Sequence, residues 1–136
     1  SWKITFIRRR FKQIRYMIEN WYDDSDHYTT TTSPINFNEW QHIAVTFDAD
    51  TYGTKIYHNG ISQDTTGSID ELPKMLDDDL TIGIYGGNLM EKPFDGIIDE
   101  VRISEITRNS DWILTGYNNQ NNPSIFMSFG LEETGP

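Results

Sequence analysis

The sequence predicts an all-β chain: an antiparallel two-sheet β-sandwich of the jelly-roll kind with one short C-terminal helix. Three observations predict it. Apolar and polar residues alternate through Glu39–Phe47, Thr54–His58 and Phe94–Ile103, the period-two pattern of half-buried strands. Thr, Ile, Tyr and Phe dominate these stretches, a bias that suits strands. Short polar segments carrying Gly, Pro, Asn or Asp punctuate them, and no alternating helical segments are present to build a parallel sheet. The 136 residues, 36% apolar and 13% aromatic, are enough for one core, and no internal repeat or linker divides them, so residues 1–136 read as one domain.

Taken in order, Trp2, Ile4 and Phe6 alternate with Lys3 and Thr5. After the charged stretch Arg8–Lys12, Ile14, Tyr16 and Ile18 alternate with Gln13, Arg15 and Met17, which predicts a hairpin. Asn20–Asp26 predicts a turn and His27–Thr32 a Thr-rich strand stopped by Pro34, which cannot donate to a ladder. Glu39–Phe47 carries apolar residues on both faces, as a central strand does, and places Trp40 in the core. Thr54–His58, Asn59–Gly60 and Ile61–Thr66 form the strongest hairpin signal in the chain. Leu80–Ile84 and the long Phe94–Ile103 predict two more strands. Thr107 or Ser110 is placed to cap a short helix within Ile106–Asn119 that carries Trp112, Ile113 and Tyr117, with Trp112 also in the core. Ser124–Phe129 predicts a last strand.

Charge and composition narrow the function classes. The net charge is −10, yet Lys3, Arg8, Arg9, Arg10, Lys12 and Arg15 crowd the first 20 residues against a single acid, Glu19. A basic cluster can mark a polyanion patch, but nothing beside it resembles a nucleic-acid motif, and the acidic remainder repels phosphate backbones. Nucleic acid is therefore not an expected partner. The cluster is read as a solvated hairpin, or as one that docks on an acidic surface of this chain or a neighbour. There is no cysteine, which excludes disulfides and thiolate metal sites. No apolar run approaches membrane-spanning length, so membrane insertion is not expected.

The pieces Trp40–Gln41–His42–Ile43–Ala44–Val45–Thr46 and Ile98–Asp99–Glu100–Val101–Arg102–Ile103, in this order and spacing, resemble the laminin-G-like, concanavalin A-like lectin domains. Arg108–Asn109–Ser110–Asp111–Trp112–Ile113, Tyr117–Asn118–Asn119–Gln120 and Pro123–Ser124–Ile125–Phe126 resemble the ending of the microbial surface-protein versions. The resemblance implies a laminin-G-like jelly roll, secreted or displayed at the cell surface, that binds glycans or extracellular proteins and serves recognition or adhesion. It also implies a domain lacking its usual N-terminal strands, because Trp2–Phe6 resembles a middle strand of the family. Sheet edges left open in that way would make homo-oligomers through those edges an expected partner mode.

The same resemblance implies a structural calcium near the final long strand, with Asp99 at the family's acidic position and Asp95 beside it. Calcium takes six or more oxygens, and Asp99 is equally suited to hydrogen-bond a loop or to pair with Arg102. For a glycan, the residues themselves offer the right chemistry: aromatic faces to stack on sugar C–H groups, and carboxylates and amides for hydroxyls. Trp21, Tyr22, Asp24 and Tyr28 form one such set and Asn88 lies in another loop, with Tyr52 and Tyr85 as further loop aromatics. The runs Asp23–Asp24–Ser25–Asp26 and Asp77–Asp78–Asp79 lack EF-hand spacing and read as solvated turns.

No catalytic constellation is expected. Glucanases of the resembled fold carry a Glu-x-Asp-x-x-Glu strand, which is missing here. Asp99 and Glu100 point to opposite faces of a strand, and no Gly-x-Ser-x-Gly elbow occurs. His27, His42 and His58 fall on separate strands. The sequence therefore predicts a non-catalytic extracellular recognition module for carbohydrate. The alternative is a structural or assembly domain of a surface or adhesion protein that associates through sheet edges.

Overall fold

The computed structural model of the chain describes residues 2–7, 13–20, 25–70, 72, 81–84, 93–126 and 130. Among them run strands β1 (Trp2–Ile7), β2 (Gln13–Asn20), β3 (Ser25–Thr31), β4 (Ile43–Phe47), β5 (Thr54–His58), β6 (Ile61–Ser62) and β7 (Thr65–Ser68), then helices α1 (Ser110–Asn121) and α2 (Pro123–Phe126). The strands form two antiparallel sheets, one in the order β1-β2-β3-β7 and one in the order β4-β5-β6.

The β1–β2 pair sets Phe6 opposite Ile14 and Ile4 opposite Tyr16, as alternation predicts. The β5–β6 turn is Asn59–Gly60, with φ of 50° and 76°. Both central residues are left-handed, as a type I′ turn requires, and this is why Asn-Gly is found there. Beyond β6 the chain changes sheets. Gln63 N still donates to Ile56 O, and one residue later Asp64 O accepts from Thr32 N, both at 2.8 Å. The stretch Ile61–Thr66, predicted as one strand, is thus two short strands in different sheets.

Between the sheets lies the core: Ile14 and Tyr16 of β2, Ile56 of β5, and Ile35 and Ile69 from connecting segments, packed against Ile43, Val45 and Phe47 of β4. Each fully buried isoleucine contributes about 1.5–3 kcal/mol relative to exposure. The Tyr16 and Phe47 rings meet across the sheets with centroids 6.2 Å apart. Burial pushes the Tyr16 phenol up to about 12, so it stays neutral in the core. Thr31, 1% exposed, is satisfied there: its Oγ1 accepts from Ile14 N at 3.1 Å and donates to Ser33 O at 3.1 Å.

Helix α1 packs against β6. Asn109, not the predicted Thr107 or Ser110, caps it: Asn109 Oδ1 accepts from Trp112 N at 2.9 Å, and Asp111 in the first turn complements the helix dipole. Ile113 is buried, and Leu114 and Tyr117 close over Gly60, where an added Cβ would come within 2.9 Å of Leu114 Cδ1. Gly60 is therefore required twice, for its φ and for the approach of the helix.

Several expectations are corrected. Phe94–Ile103 is not a strand: Glu100 adopts φ 53°, which breaks the extended line, and Arg102 folds back to Glu100 Oε2 at 2.7 Å. Residues 81–84 are likewise not a strand. Over the described part of the strand predicted for Ser124–Phe129, residues 124–126, Pro123 opens the short helix α2 instead, a position where its missing N–H costs nothing; residues 127–129 lie outside the described residues. Of the predicted Asn20–Asp26 turn, Asn20 belongs to β2 and Ser25 and Asp26 to β3, and residues 21–24 lie outside the described residues. β4 starts at Ile43, and Trp40 is 69% exposed rather than in the core. Asn38 has φ 62°, and Gln41 Nε2 donates to Asn36 O. That polar turn holds Trp40 outside the strand. Trp112 is 46% exposed, with the Arg108 guanidinium 4.8 Å above its ring.

Candidate functional site

At one end of the sandwich the β4–β5 turn approaches β3 and β7. Thr29, Tyr52, Thr54, Thr65, Gly67, Ser68 and Ile69 line a cleft of about 180 Å³ there. It is smaller than the ~300–1,000 Å³ of drug-sized ligand sites. Its size suits one hydroxylated ring or the tip of a longer chain.

Local chemistry fixes both walls. In the turn, Asp48 Oδ1 accepts from the N–H groups of Asp50 and Thr51, each at 3.0 Å, and Asp48 N donates to Gly53 O at 2.9 Å. The Thr51 and Asp50 N–H bonds hold the Asp48 carboxyl below the usual carboxylate range, so it remains an acceptor at neutral pH. Gly53 N donates to Thr51 Oγ1 at 3.2 Å, and Tyr52 sits in the left-handed region at φ 57°. This ties Tyr52, 38% exposed, to the cleft mouth.

The opposite wall is the β3–β7 pair, with Tyr28 opposite Ser68, Thr29 opposite Gly67 and Thr31 opposite Thr65. Gly67 has φ 86°, and a Cβ there would collide with the Tyr28 carbonyl oxygen. Only glycine lets β7 come this close. His27 Nδ1 pairs with Asp70 Oδ1, tying the start of β3 to the chain just beyond β7. Among the described residues the cleft lining is uncharged and rich in hydroxyls, each able to donate and to accept. A second, larger concavity of about 420 Å³ is lined by Asn118, Asn121, Asn122 and Ile125 where α1 meets α2.

Of the predicted glycan residues, Tyr28 lies on β3, 40% exposed, directly before the cleft residue Thr29. Trp21, Tyr22, Asp24 and Asn88 lie outside the described residues. Asp95 and Asp99 are exposed in an irregular segment, and Asp99 Oδ1 accepts from Glu100 N at 2.8 Å. Among the described residues no three His, Asp or Glu side chains gather as a metal site, so Asp95 and Asp99 supply at most part of a calcium shell. The hydroxyl set Thr29, Thr54, Thr65 and Ser68 was not legible as a site. Its only signal was the threonine-rich strand composition, which reads equally as β-propensity.

The histidines do not converge. His42 meets the Tyr117 ring at 5.9 Å, and its Nδ1 is buried with no hydrogen-bond partner among the described residues. His58 Nε2 lies 2.6 Å from Gln41 Oε1. Burial lowers the pKa of both, and the positive charge of Arg102 lowers that of His42 further. No helix among the described residues is long and apolar enough to cross a membrane.

Residues 2–114 match a laminin-G profile described as the concanavalin A-like lectin/glucanases superfamily. No curated protein sequence matches the chain. Among solved structures, a crystal structure of an S-layer domain-containing protein from Clostridium thermocellum is similar with a TM-score of 0.51 and 21% identity. The similarity covers 77% of this chain and 51% of that one, so the chain spans about half of that structure. At this identity the likeness concerns the fold.

Proposed function

This chain belongs to the concanavalin A-like lectin/glucanases superfamily, and from that membership we propose that it is a non-catalytic recognition module, displayed outside the cell, that binds a neutral glycan. The observation that carries this reading is the uncharged, hydroxyl-lined cleft with Tyr52 at its mouth. Neutral sugars present paired O–H donors and acceptors beside apolar C–H faces, and threonine, serine and tyrosine answer both. Tyr52 stacks on the sugar ring, and Thr54, Thr65 and Ser68 meet its hydroxyls. Tyr28, Trp21, Tyr22, Asp24 and Asn88, whose aromatic, carboxylate and amide groups suit sugar C–H faces and hydroxyls, belong to the same proposal as further glycan contacts.

Two points support the reading. Among the described residues the cleft lining carries no carboxylate, whereas glycoside hydrolysis uses a pair. The structurally similar S-layer domain-containing protein supports display at a cell surface. A structural calcium at Asp95 and Asp99 belongs to the same proposal, with further oxygens drawn from backbone and water.

The test is a panel of neutral and acidic glycans probed with the wild type and with Tyr52→Ala. Binding to a neutral glycan that weakens about tenfold in the variant supports the reading. Absence of binding across the panel, or release of new reducing ends from a bound glycan, contradicts it.

A further inference from the structure

Helix α1 stops where its sequence forbids it to continue. Pro123 has no N–H to donate and pushes the residue before it out of the helical region, and Asn122 accordingly adopts φ −150° and ψ 77°. The chain turns there and re-enters a helix as α2. Hydrogen bonds pin the elbow on both sides. Asn122 N donates to Asn118 O at 3.0 Å, and Ile125 N donates to Asn122 O at 3.2 Å. Ser124 Oγ donates to Asn122 Oδ1 at 2.8 Å. The concavity of about 420 Å³ lies in this elbow, and its size falls within the ~300–1,000 Å³ of small-molecule sites.

The fold itself has no use for two features of the lining. Asparagine is a weak helix former, yet Asn118, Asn119 and Asn121 fill the last turn of α1. Capping accounts for Asn122 alone. Asn121 and Asn122 follow Asn118 by three and four residues, which brings the three amides onto one side of the helix end. The side-chain amides of Asn118 and Asn121 make no hydrogen bond among the described residues. Ile125, at 83%, is the most exposed large apolar side chain among the described residues, and it lines the same concavity.

This lining selects a ligand by three properties. Each asparagine amide offers N–H donors beside a carbonyl acceptor, so a second amide answers both at once. Ile125 favours a small apolar group beside it. The ligand is also neutral. The net charge of −10 repels an anion, and a cation finds no carboxylate in the described lining to replace its water. An acetamido group, a secondary amide ending in a methyl, has all three properties. A peptide main chain carries the same amide, but it is received along an extended edge or a long groove, and the elbow is the junction of two helices.

We propose that the α1–α2 elbow is a binding site for an N-acetylated sugar. The acetamido group pairs with the Asn118 and Asn121 amides, and its methyl rests on Ile125. This site stands on other elements than the cleft and does not depend on how the cleft is read.

The test is an NMR titration of the isotope-labelled chain with N-acetylglucosamine. Glucose serves as the sugar without the acetamido group, and N-acetylalanine methylamide as the amide without the sugar. N-acetylglucosamine is expected to give saturable shifts of the Asn118 and Asn121 side-chain amide signals and of the Ile125 methyls, with an affinity about tenfold above that of either control. The double variant Asn118→Ala, Asn121→Ala is expected to bind about tenfold more weakly. Both side chains are exposed and alanine is the better helix former, so the variant is expected to melt no lower than the wild type. Tyr52→Ala, at the cleft, is expected to leave the elbow shifts intact, which separates failure of one site from failure of the other. No saturable shift at the elbow, equal affinity for glucose, or undiminished binding by the folded double variant would each overturn the proposal. Equal affinity for the blocked amino acid would overturn its assignment to a sugar.

Discussion

His42 and Asn59 hold each other across the base of the β4–β5 pair: His42 N donates to Asn59 Oδ1 at 2.9 Å, and Asn59 N donates to His42 O at 2.8 Å. The same Asn59 supplies the left-handed φ of the β5–β6 turn, and its neighbour Gly60 receives helix α1. One residue therefore joins β4, the turn and the helix face. Asn59→Ala removes the side-chain acceptor and strains the turn, and it is expected to cost about 1–3 kcal/mol in chemical denaturation. Asn59→Gly keeps the backbone conformation and loses only the acceptor, so its cost should be smaller. Equal costs for the two variants would refute the division made here.

Gly67 permits the close approach of β7 to β3. Gly67→Ala places a Cβ against the Tyr28 carbonyl at a φ that alanine disfavours, and should destabilise the fold by about 2–3 kcal/mol. Ser68→Ala, next in the same strand, keeps the ladder and should cost under about 0.5 kcal/mol. Thermal melts of the two variants decide the matter, and a silent Gly67→Ala would mean that β7 does not pair as described.

The two half-buried histidines, His42 and His58, set a pH dependence. Both have folded-state pKa values below the ordinary ~6.5, His42 through burial and then the charge of Arg102, His58 through burial. Near and below that value the unfolded chain binds more protons than the folded one. Their contribution to stability is therefore complete above about pH 7.5 and is lost as pH falls from about 6.5 through the lowered folded values. The urea midpoint should be level from about pH 8.5 to 7.5 and fall towards pH 5.5. His42→Gln with His58→Gln should flatten that fall. A midpoint that rises on acidification across this window contradicts the assignment.

Calcium is tested by melting. An ion bound only by the folded chain stabilises it by about 2.7 kcal/mol at a hundredfold excess over its dissociation constant. The proposal for Asp95 and Asp99 predicts a melting temperature several degrees higher in calcium than in chelator, with the difference abolished in Asp95→Asn, Asp99→Asn. An unchanged melting temperature in the wild type removes calcium from the account.

Local signals were legible where local chemistry decides the outcome. Asn59–Gly60 requires only its own φ angles, and the alternation of Ile14 and Tyr16 requires only a core on one side, so both were read from sequence. Phe94–Ile103 has the same alternation, but a strand also needs a partner for its backbone, and period two says nothing about partners. Trp40 continued the pattern of β4 in sequence, yet the left-handed Asn38 and the Gln41–Asn36 bond turn the chain before the strand begins. At Pro123 the preference of proline for a first helical turn outweighed a short alternating run. The cleft was illegible because one wall, Thr29, Thr65 and Ser68, exists only once β3 pairs with β7, and the other, Tyr52 and Thr54, reaches it only when the two sheets pack together. Three of the five glycan residues singled out in the sequence, Trp21, Tyr22 and Tyr28, were aromatic and the others, Asp24 and Asn88, an acid and an amide, whereas the cleft is built mainly from threonine hydroxyls.

The most direct test of glycan recognition at this cleft is an NMR titration of the isotope-labelled chain with the neutral glycan selected by the panel. The account predicts saturable shifts of the Tyr52, Thr54, Thr65, Gly67 and Ser68 amides, lost in Tyr52→Ala. Saturable shifts confined to other parts of the fold, or no shifts with any neutral glycan, would contradict it.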